Sequence, residues 1–395
     1  MRWASAVSQE RELPTALEAV GTDLEEQLSG QRPDLVLAFA SPHHLASLAK
    51  LPQLVAQRLS PRAFLGCTAA GVIGGGRELE LEPGRPPALA LVGAVLPGVE
   101  LTTFHLDGGD LPDLDRGPGV WHQALGVGPE PNPSLLLLCD PSSFDPHDLL
   151  LGLDFAWPTS PKLGGLASGP TRNLLLRDQH VHPSGAVGLA LRGDVLLDPL
   201  VAQGCRPIGP RLTVTACRHN LLLALDGRPP VALLQELFEA LSEPERELFS
   251  EALHIGIAPS SLGEPKEFLV RNVLGADSQE GILAVGALLR PGQTVQFQVR
   301  DAAAAAEDLE QHLARYAAGE RATAPAGALL FSCTGRGEHL FGKPGHDSAA
   351  FQRHLGPLPL GGFFCGGEIG PVGDATYLHG YTSAFALFRP ARPGP

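Results

Sequence analysis

Several residue types and patterns are scarce in this chain, and each scarcity excludes a class of protein. Charged residues make up only 18% of the 395 residues, and lysine occurs only at Lys50, Lys162, Lys266 and Lys343. The formal net charge is −14, and no run of basic residues interrupts the acidic character. Because an acidic surface repels phosphate backbones and anionic lipid headgroups, the sequence predicts no nucleic-acid partner.

Long apolar segments are also missing. The strongest apolar runs have about ten residues, which is too short to span a bilayer. The first twenty residues lack the apolar core of a secretory signal. The sequence therefore predicts a cytoplasmic protein that does not associate with a membrane.

Patterns typical of metal and cofactor sites are absent as well. The six cysteines include no CxxC pair, and the histidines have no HExxH spacing. The segment 337–343 has the GxxxxGK spacing of a phosphate-binding loop, but Pro344 stands where a hydroxyl must hold magnesium. The glycines of 71–76 lack the GxGxxG spacing of a dinucleotide site. The sequence predicts neither a metal nor a cofactor.

Three segments of the chain share one layout, in which a buried strand is followed by a helix, a glycine-rich segment and another strand. Continuous apolar runs without alternation are typical of strands that are covered on both faces. These runs are Leu35 to Ala40, Leu135 to Cys139 and Ala328 to Cys333. The glycine-rich segments are 61–75, 160–169 and 358–373. The layout predicts an α/β fold of two related halves, with mixed, largely buried sheets built from duplicated strand–helix–strand units.

The segment 206–238 departs from this layout and suggests a domain boundary just before it. It predicts two strands, Arg211 to Cys217 and Leu221 to Leu225, followed by a helix. We expect one domain over residues 1–203 and a second over residues 204–395.

Polar residues cluster where the strands of the third copy end. Arg336 follows the first of these strands, and Glu368 lies within the third glycine-rich segment. Ligands of such sheets bind beyond the carboxyl ends of the strands. A guanidinium suits a ligand carboxylate and a carboxylate suits an ammonium, so the pair would match a zwitterion such as an amino acid. The alternative is an Arg336–Glu368 salt bridge that only closes the turn.

Other candidate ligand-binding residues lie near these two or at equivalent strand ends. They are Cys333, Thr334, Gly366, Gly367, His379, Thr382, Arg271, Cys67 and Thr68. We assign no catalytic residue. A cysteine-dependent enzyme stays open as an alternative, because Cys67, Cys333 and Cys365 lie at strand ends or in glycine turns, where nucleophiles are often displayed.

The same segments resemble a known family. The sequences FSCTGRG (331–337), GFFCGGEIGPVG (362–373) and YLHGYTSAFALF (377–388) resemble the FIST C-terminal domain, and PDLVLAFAS (33–41), FLGCTAAGVIG (64–74) and KLGGLASG (162–169) resemble the FIST N-terminal domain. FIST stands for F-box and intracellular signal transduction, and the resemblance covers nearly the whole chain. It implies a sensory module for small ligands, with amino acids among the candidates. The residues after Phe388 are too few for an output domain, so we expect a stand-alone sensor.

The sequence therefore predicts an intracellular protein that binds a small molecule and signals through a protein partner or a change of oligomeric state. Two alternatives stay open. One is an adaptor that binds only protein, and the other is the cysteine-dependent enzyme.

Overall fold

The computed structural model describes residues 1–80, 84–259 and 267–392. Its contacts divide the chain into two compact units. The first comprises Met1–Ala202, Leu309–Leu378 and Thr382–Pro395, and the second comprises Gln203–Asp308 and His379–Tyr381. This division differs from two consecutive domains over 1–203 and 204–395, because the third strand–helix–strand copy belongs to the same unit as the first two.

Three six-stranded sheets form the first unit. Across sheet one the order is β1 (Arg2–Ser8), β6 (Leu89–Val95), β2 (Leu35–Ala40), β3 (Ala63–Thr68), β10 (Leu175–Arg177) and β11 (His180–His182). Across sheet two it is β23 (Ala375–His379), β22 (Glu368–Val372), β9 (Lys162–Leu166), β8 (Ser134–Cys139), β12 (Ala186–Gly193) and β7 (Val99–Leu106). Across sheet three it is β13 (Leu196–Ala202), β24 (Ser383–Arg389), β20 (Gly327–Cys333), β21 (Leu360–Cys365), β4 (Gly71–Gly74) and β5 (Arg77–Glu80).

Each sheet has the same centre, which is a parallel pair flanked by an antiparallel strand. The parallel pairs are β2 with β3, β8 with β9, and β20 with β21. The antiparallel neighbours are β6, β12 and β24. The predicted α/β class, with mixed sheets built from repeated strand–helix–strand units, is confirmed.

The inner faces of the three sheets share one apolar core, and helices cover the outer faces. Phe39 of sheet one stacks on Phe363 of sheet three at 4.8 Å, and Leu136 of sheet two joins the same cluster. Neighbouring residues such as Val36 point outward into separate clusters. The helices are α1 (Leu13–Gln27), α2 (Leu45–Leu48), α3 (Leu51–Arg58), α4 (Gly119–Leu125), α5 (Pro146–Ala156), α8 (Ala302–Ala318), α9 (Glu338–Phe341) and α10 (His346–Leu355). Short 3₁₀ helices occupy Pro42–His44 and Gly108–Asp110.

At each glycine-rich segment the chain passes from one sheet into another. From β3 in sheet one it enters β4, which pairs with β21 in sheet three. From β21 it enters β22, which pairs with β9 in sheet two. From β9 it continues to β10, which pairs with β3 in sheet one. These exchanges close a cycle, so the ends of β3, β9 and β21 come together.

Glycine is required inside two of these strands because the neighbouring backbone is so close. A Cβ at Gly362 would lie 1.9 Å from the carbonyl oxygen of Leu330, and one at Gly164 would lie 1.8 Å from that of Leu137. Any larger residue would push the parallel strands apart. This explains two glycines of the repeated segments by packing.

The second unit is built around a closed six-stranded barrel. Its strands, in order, are β14 (Cys205–Arg218), β15 (Leu221–Leu225), β18 (Ile282–Val285), β17 (Leu269–Asp277), β16 (Leu253–Ile257) and β19 (Thr294–Arg300). Its helices are α6 (Pro230–Ala240) and α7 (Glu243–Ala252). The two strands and the helix predicted here are present, and the predicted second strand has the observed bounds.

Candidate functional site

The three glycine-rich segments of the first unit meet around Ser168. The Ser168 amide donates to the carbonyl oxygen of Thr68 at 3.3 Å, and its hydroxyl donates to the carbonyl oxygen of Phe364. The amide of Ala70 donates to the same hydroxyl at 2.8 Å. One residue of the second copy thus joins the first and third copies. The predicted candidates Thr68, Gly366 and Gly367 lie in these joined segments.

Thr68 belongs to a buried polar network. Its hydroxyl donates to Oδ1 of Asn173 at 3.0 Å and accepts from the amide of Leu174 at 3.1 Å. Nδ2 of Asn173 donates to Asp140 at 2.9 Å. The hydroxyl therefore holds the end of β3 to the segment that precedes β10.

Arg336 is fully buried and binds a carboxylate that the sequence pattern did not single out. Its Nε donates to Oδ2 of Asp347 at 2.9 Å, and its Nη2 donates to Oδ1 at 3.0 Å. The guanidinium also lies over the ring of Phe341, 5.2 Å from the ring centroid. Its fork-shaped edge is thus filled by Asp347 and not by Glu368. Nη1, which is buried, has no hydrogen-bond partner among the described residues.

Asp347 holds several polar groups together at the start of α10. It accepts from the hydroxyls of Ser332 (3.3 Å) and Ser383, and its Oδ1 lies 3.0 Å from Nδ1 of His346. Burial alone would raise the pKa of this carboxyl, but the charge of Arg336 and these hydrogen bonds outweigh burial and hold the pKa below its ordinary value. Asp347 is therefore a buried carboxylate ion at neutral pH.

Glu368 is also fully buried, but its environment favours the protonated form. Its Oε2 accepts from the amide of Thr382 at 3.0 Å and from the Thr382 hydroxyl at 2.7 Å. Oε1 lies 3.3 Å from Sγ of Cys365. Burial raises the pKa of this carboxyl to about 7, although the hydrogen bonds and Arg336 oppose the rise. Glu368 therefore titrates near physiological pH.

Two of the cysteine candidates, Cys67 and Cys365, lie in environments that disfavour the thiolate. Burial raises the pKa of the Cys67 and Cys365 thiols well above their ordinary value. Cys333 is also buried, and its amide donates to the carbonyl oxygen of Thr382 at 3.0 Å. The neighbouring Thr334 amide donates to the carbonyl oxygen of Cys365 at 3.0 Å. The raised pKa values oppose nucleophilic catalysis by Cys67 or Cys365.

Two of the sequence candidates belong to the second unit. Arg271 lies on β17 and donates from Nη1 to the carbonyl oxygen of Val270 at 2.8 Å. Burial lowers the pKa of its guanidinium. His379 is a buried residue of the same unit.

Glu78 is a further buried carboxyl that the sequence did not single out. It is 7% exposed, and its Oε1 accepts from the amide of Ser348 at 2.6 Å. Oε2 is buried and has no hydrogen-bond partner in the described part of the chain. Burial, followed by the charge of Asp347, raises the pKa of Glu78 to about 7. The one available sequence signal is the alternation of Glu78, Leu79 and Glu80, which indicates a strand. That pattern does not predict that a glutamate is buried.

No group of three or more histidine, cysteine, aspartate or glutamate side chains suited to a metal occurs in residues 1–80, 84–259 and 267–392. Over the same ranges, no helix combines the length and apolarity needed to cross a bilayer.

Family models that match most of the chain place it in a known family. A model of the FIST N domain matches residues 34–228, and a model of the FIST C domain matches residues 231–371. The chain belongs to the FIST family. FIST domains are sensor domains of signal transduction, so the family suggests a sensory role.

The two mycobacterial relatives match most of the chain, and a plant relative matches about half of it. An uncharacterized protein of Mycobacterium tuberculosis is 38% identical over 394 residues, which cover 98% of this chain and 100% of the relative. An uncharacterized protein of Mycobacterium bovis is 38% identical over 379 residues, or 94% of this chain and 95% of the relative. An F-box/LRR-repeat protein of Arabidopsis thaliana is 27% identical over 205 residues, or 46% of this chain and 37% of the relative.

Among solved structures, a cyanuric acid hydrolase from A. caulinodans aligns with 99% of this chain and 100% of its own, with a TM-score of 0.33 and 10% identity. A similarity this low supports no inference about function.

Proposed function

We propose that this chain is an intracellular sensory protein that binds a small ligand, with amino acids as the candidates, and signals through a partner or a change of oligomeric state. The observation that carries the proposal is the buried guanidinium of Arg336, whose Nη1 has no hydrogen-bond partner among the described residues. The charge of Arg336 also acts on the buried carboxyl of Glu368, which titrates near neutrality. The sensory role of the family supports the same reading.

An unpartnered buried donor is costly for a fold. Leaving such a group unsatisfied costs about 1–3 kcal/mol, and the cost is higher for charged groups. An oxygen atom of a ligand would recover this energy at Nη1 of Arg336. Perturbed carboxyls next to such a group occur preferentially at functional sites. Because Asp347 already fills the fork, one ligand oxygen at Nη1 is the expected contact.

Signalling requires that the ligand favour one of two conformations. A ligand shifts such an equilibrium only by the difference between its affinities for the two states. Arg336 and Asp347 join the end of β20 to α10, so a ligand at Nη1 would act on the position of that helix. A protein partner or a second copy of the chain would then respond to the change in the position of α10.

A thermal-shift screen of the twenty amino acids and other small metabolites tests the proposal. A ligand that binds only the folded state raises the melting temperature by mass action. We expect Arg336→Lys to keep a positive charge beside Asp347 but to abolish the ligand-induced shift, because a lysine lacks Nη1. Arg389→Lys, at the partly buried pair with Asp198, is the matched control and should keep the shift. A full shift in Arg336→Lys would refute the assignment of Arg336.

A protein-binding adaptor without a ligand is a second candidate, favoured by apolar side chains on the surface of the second unit. Leu288 is 76% exposed, Leu274 is 60% exposed, and Phe238 on α6 is 36% exposed. Surface leucines of this kind often mark contact sites when they cluster. This reading predicts that no metabolite in the screen changes the melting temperature.

A further inference from the structure

A small cavity of about 50 Å³ lies in the first unit, and neither Arg336 nor Glu368 is among its lining residues. Its lining includes residues from β5, from α9 and from the segments near them. The residues used below are Glu78, Glu80, Arg85 and Glu338. The volume exceeds the 10–15 Å³ or so that one water needs, and it suits the head group of a small ligand.

Carboxylates dominate the charge around this cavity. Glu80 accepts from the amide of Glu338 at 2.7 Å, and Glu338 forms an ion pair with Arg85 at 2.9 Å. Among the described residues of the lining, three carry a carboxyl group and one carries a guanidinium. Such a lining attracts cations.

Glu78 supplies the observation that turns this acidic lining into a candidate site. It lines the cavity although it is only 7% exposed, and its Oε2 has no partner among the residues described. An ionised carboxyl with an unpaired buried oxygen is unfavourable unless a donor reaches it. A cationic hydrogen-bond donor would supply the partner that Oε2 does not have among the described residues.

We propose that the cavity binds the primary ammonium group of a small ligand, with Oε2 of Glu78 as its anionic acceptor. This inference rests on the proposed function and names the site and the chemical class of the ligand. An ammonium suits the cavity better than a metal ion, for which the described residues offer no cluster of ligands. It also suits Glu78 better than Glu368, whose two oxygens already accept from Thr382 and Cys365.

The cavity is connected to Arg336 through α10. The other oxygen of Glu78 accepts from the amide of Ser348, the residue after Asp347. Asp347 in turn holds Arg336. An ammonium that keeps Glu78 ionised therefore changes the charge at the start of α10. Binding in the cavity can in this way affect Asp347, Arg336 and the rest of the first unit.

Proton linkage makes the proposal testable in the unmodified protein. The charged groups around Glu78 are Asp347, Glu80, Arg85 and Glu338. Because the pKa of Glu78 is about 7 and only the ionised form would bind, the apparent Kd should be about tenfold higher at pH 6 than at pH 8. At pH 7 binding should release about half a proton.

The probe is methylammonium chloride, titrated calorimetrically at constant ionic strength in two buffers with different ionisation enthalpies. Tetramethylammonium chloride is the matched ligand control, because it has the same charge but no N–H group. We expect saturable binding of methylammonium with proton release and none of tetramethylammonium. Equal binding of both cations, no binding of either, or binding of methylammonium without proton release would overturn the proposal.

Glu78→Gln is the diagnostic variant, and Glu26→Gln on the exposed face of α1 is its control. A glutamine retains an acceptor for the Ser348 amide but carries no charge. Methylammonium binding should be lost in Glu78→Gln and retained in Glu26→Gln. If an amino acid from the thermal-shift screen stabilises Glu78→Gln as strongly as the parent chain, the proposed sensory function is supported and the ammonium site at Glu78 is refuted. If no ligand binds either the parent chain or Glu78→Gln, both the proposed function and the ammonium site are refuted.

Discussion

Replacing Glu368 with glutamine is expected to stabilise the folded chain at alkaline pH and to leave it nearly unchanged at pH 4. Burial raises the pKa of this carboxyl from its ordinary value of 4.5 to about 7. The folded state therefore keeps its proton up to pH 7, whereas the unfolded chain loses it near pH 4.5. Between these values the unfolded state binds fewer protons, so stability falls as the pH rises.

The size of the effect follows from the shift. One pKa unit corresponds to 1.36 kcal/mol, so the rise from 4.5 to about 7 costs the folded state about 3 kcal/mol above pH 7. Glutamine is neutral at every pH and can still accept both hydrogen bonds from Thr382. The Glu368→Gln variant therefore does not lose this folding stability as the pH rises.

Urea unfolding at pH 4, 5.5 and 8, followed by tryptophan fluorescence, measures the difference. We expect the stability of Glu368→Gln relative to the parent chain to increase by about 3 kcal/mol from pH 4 to pH 8. Glu26→Gln, an exposed substitution on α1, should show no such trend. A difference between Glu368→Gln and the parent that stays constant with pH would show that burial does not raise the pKa, and the reasoning would fail.

The remaining predictions concern the buried ion pair and the thiols. Arg336→Met should destabilise the first unit by about 3–5 kcal/mol because it leaves Asp347 buried without its cation, and the double variant Arg336→Met/Asp347→Leu should recover much of that loss in the same urea assay. A double variant no more stable than the single one would contradict this account. At pH 7.5, Cys67 and Cys365 should react with iodoacetamide far more slowly than the partly exposed Cys217, as read by mass spectrometry of the peptides. Rapid, selective labelling of Cys67 or Cys365 would instead favour the cysteine-dependent enzyme.

Local sequence patterns were sufficient to locate the buried strands. The run Leu35 to Ala40 is the fully buried β2 with the same bounds, and the partly buried run Leu221 to Leu225 is β15 with the same bounds. Continuous apolar residues identify strands covered on both faces because helices outside and the shared core inside exclude water from both. The same patterns identified the strand–helix–strand copies.

The pairing of charged groups could not be predicted from local sequence patterns. Arg336 and Glu368 were expected to face one ligand or each other, but Asp347 fills the fork of Arg336. Asp347 lies at the start of α10, within the crossover that joins two parallel strands. No spacing rule says which carboxylate of a crossover helix reaches a guanidinium at the strand end. Glu78 was missed for the same reason, since β5 lies at the edge of a sheet to which the chain is brought by strand exchange.

The sequence by itself determined the family, the α/β class and the buried strands, because apolar periodicity and motif residues are local properties of the chain. Only the tertiary structure decided that the three glycine-rich segments meet, that Arg336 pairs with Asp347, and that Glu78 lines a cavity. Those contacts join residues from different strands and sheets, and their geometry depends on how the three sheets exchange strands around one core.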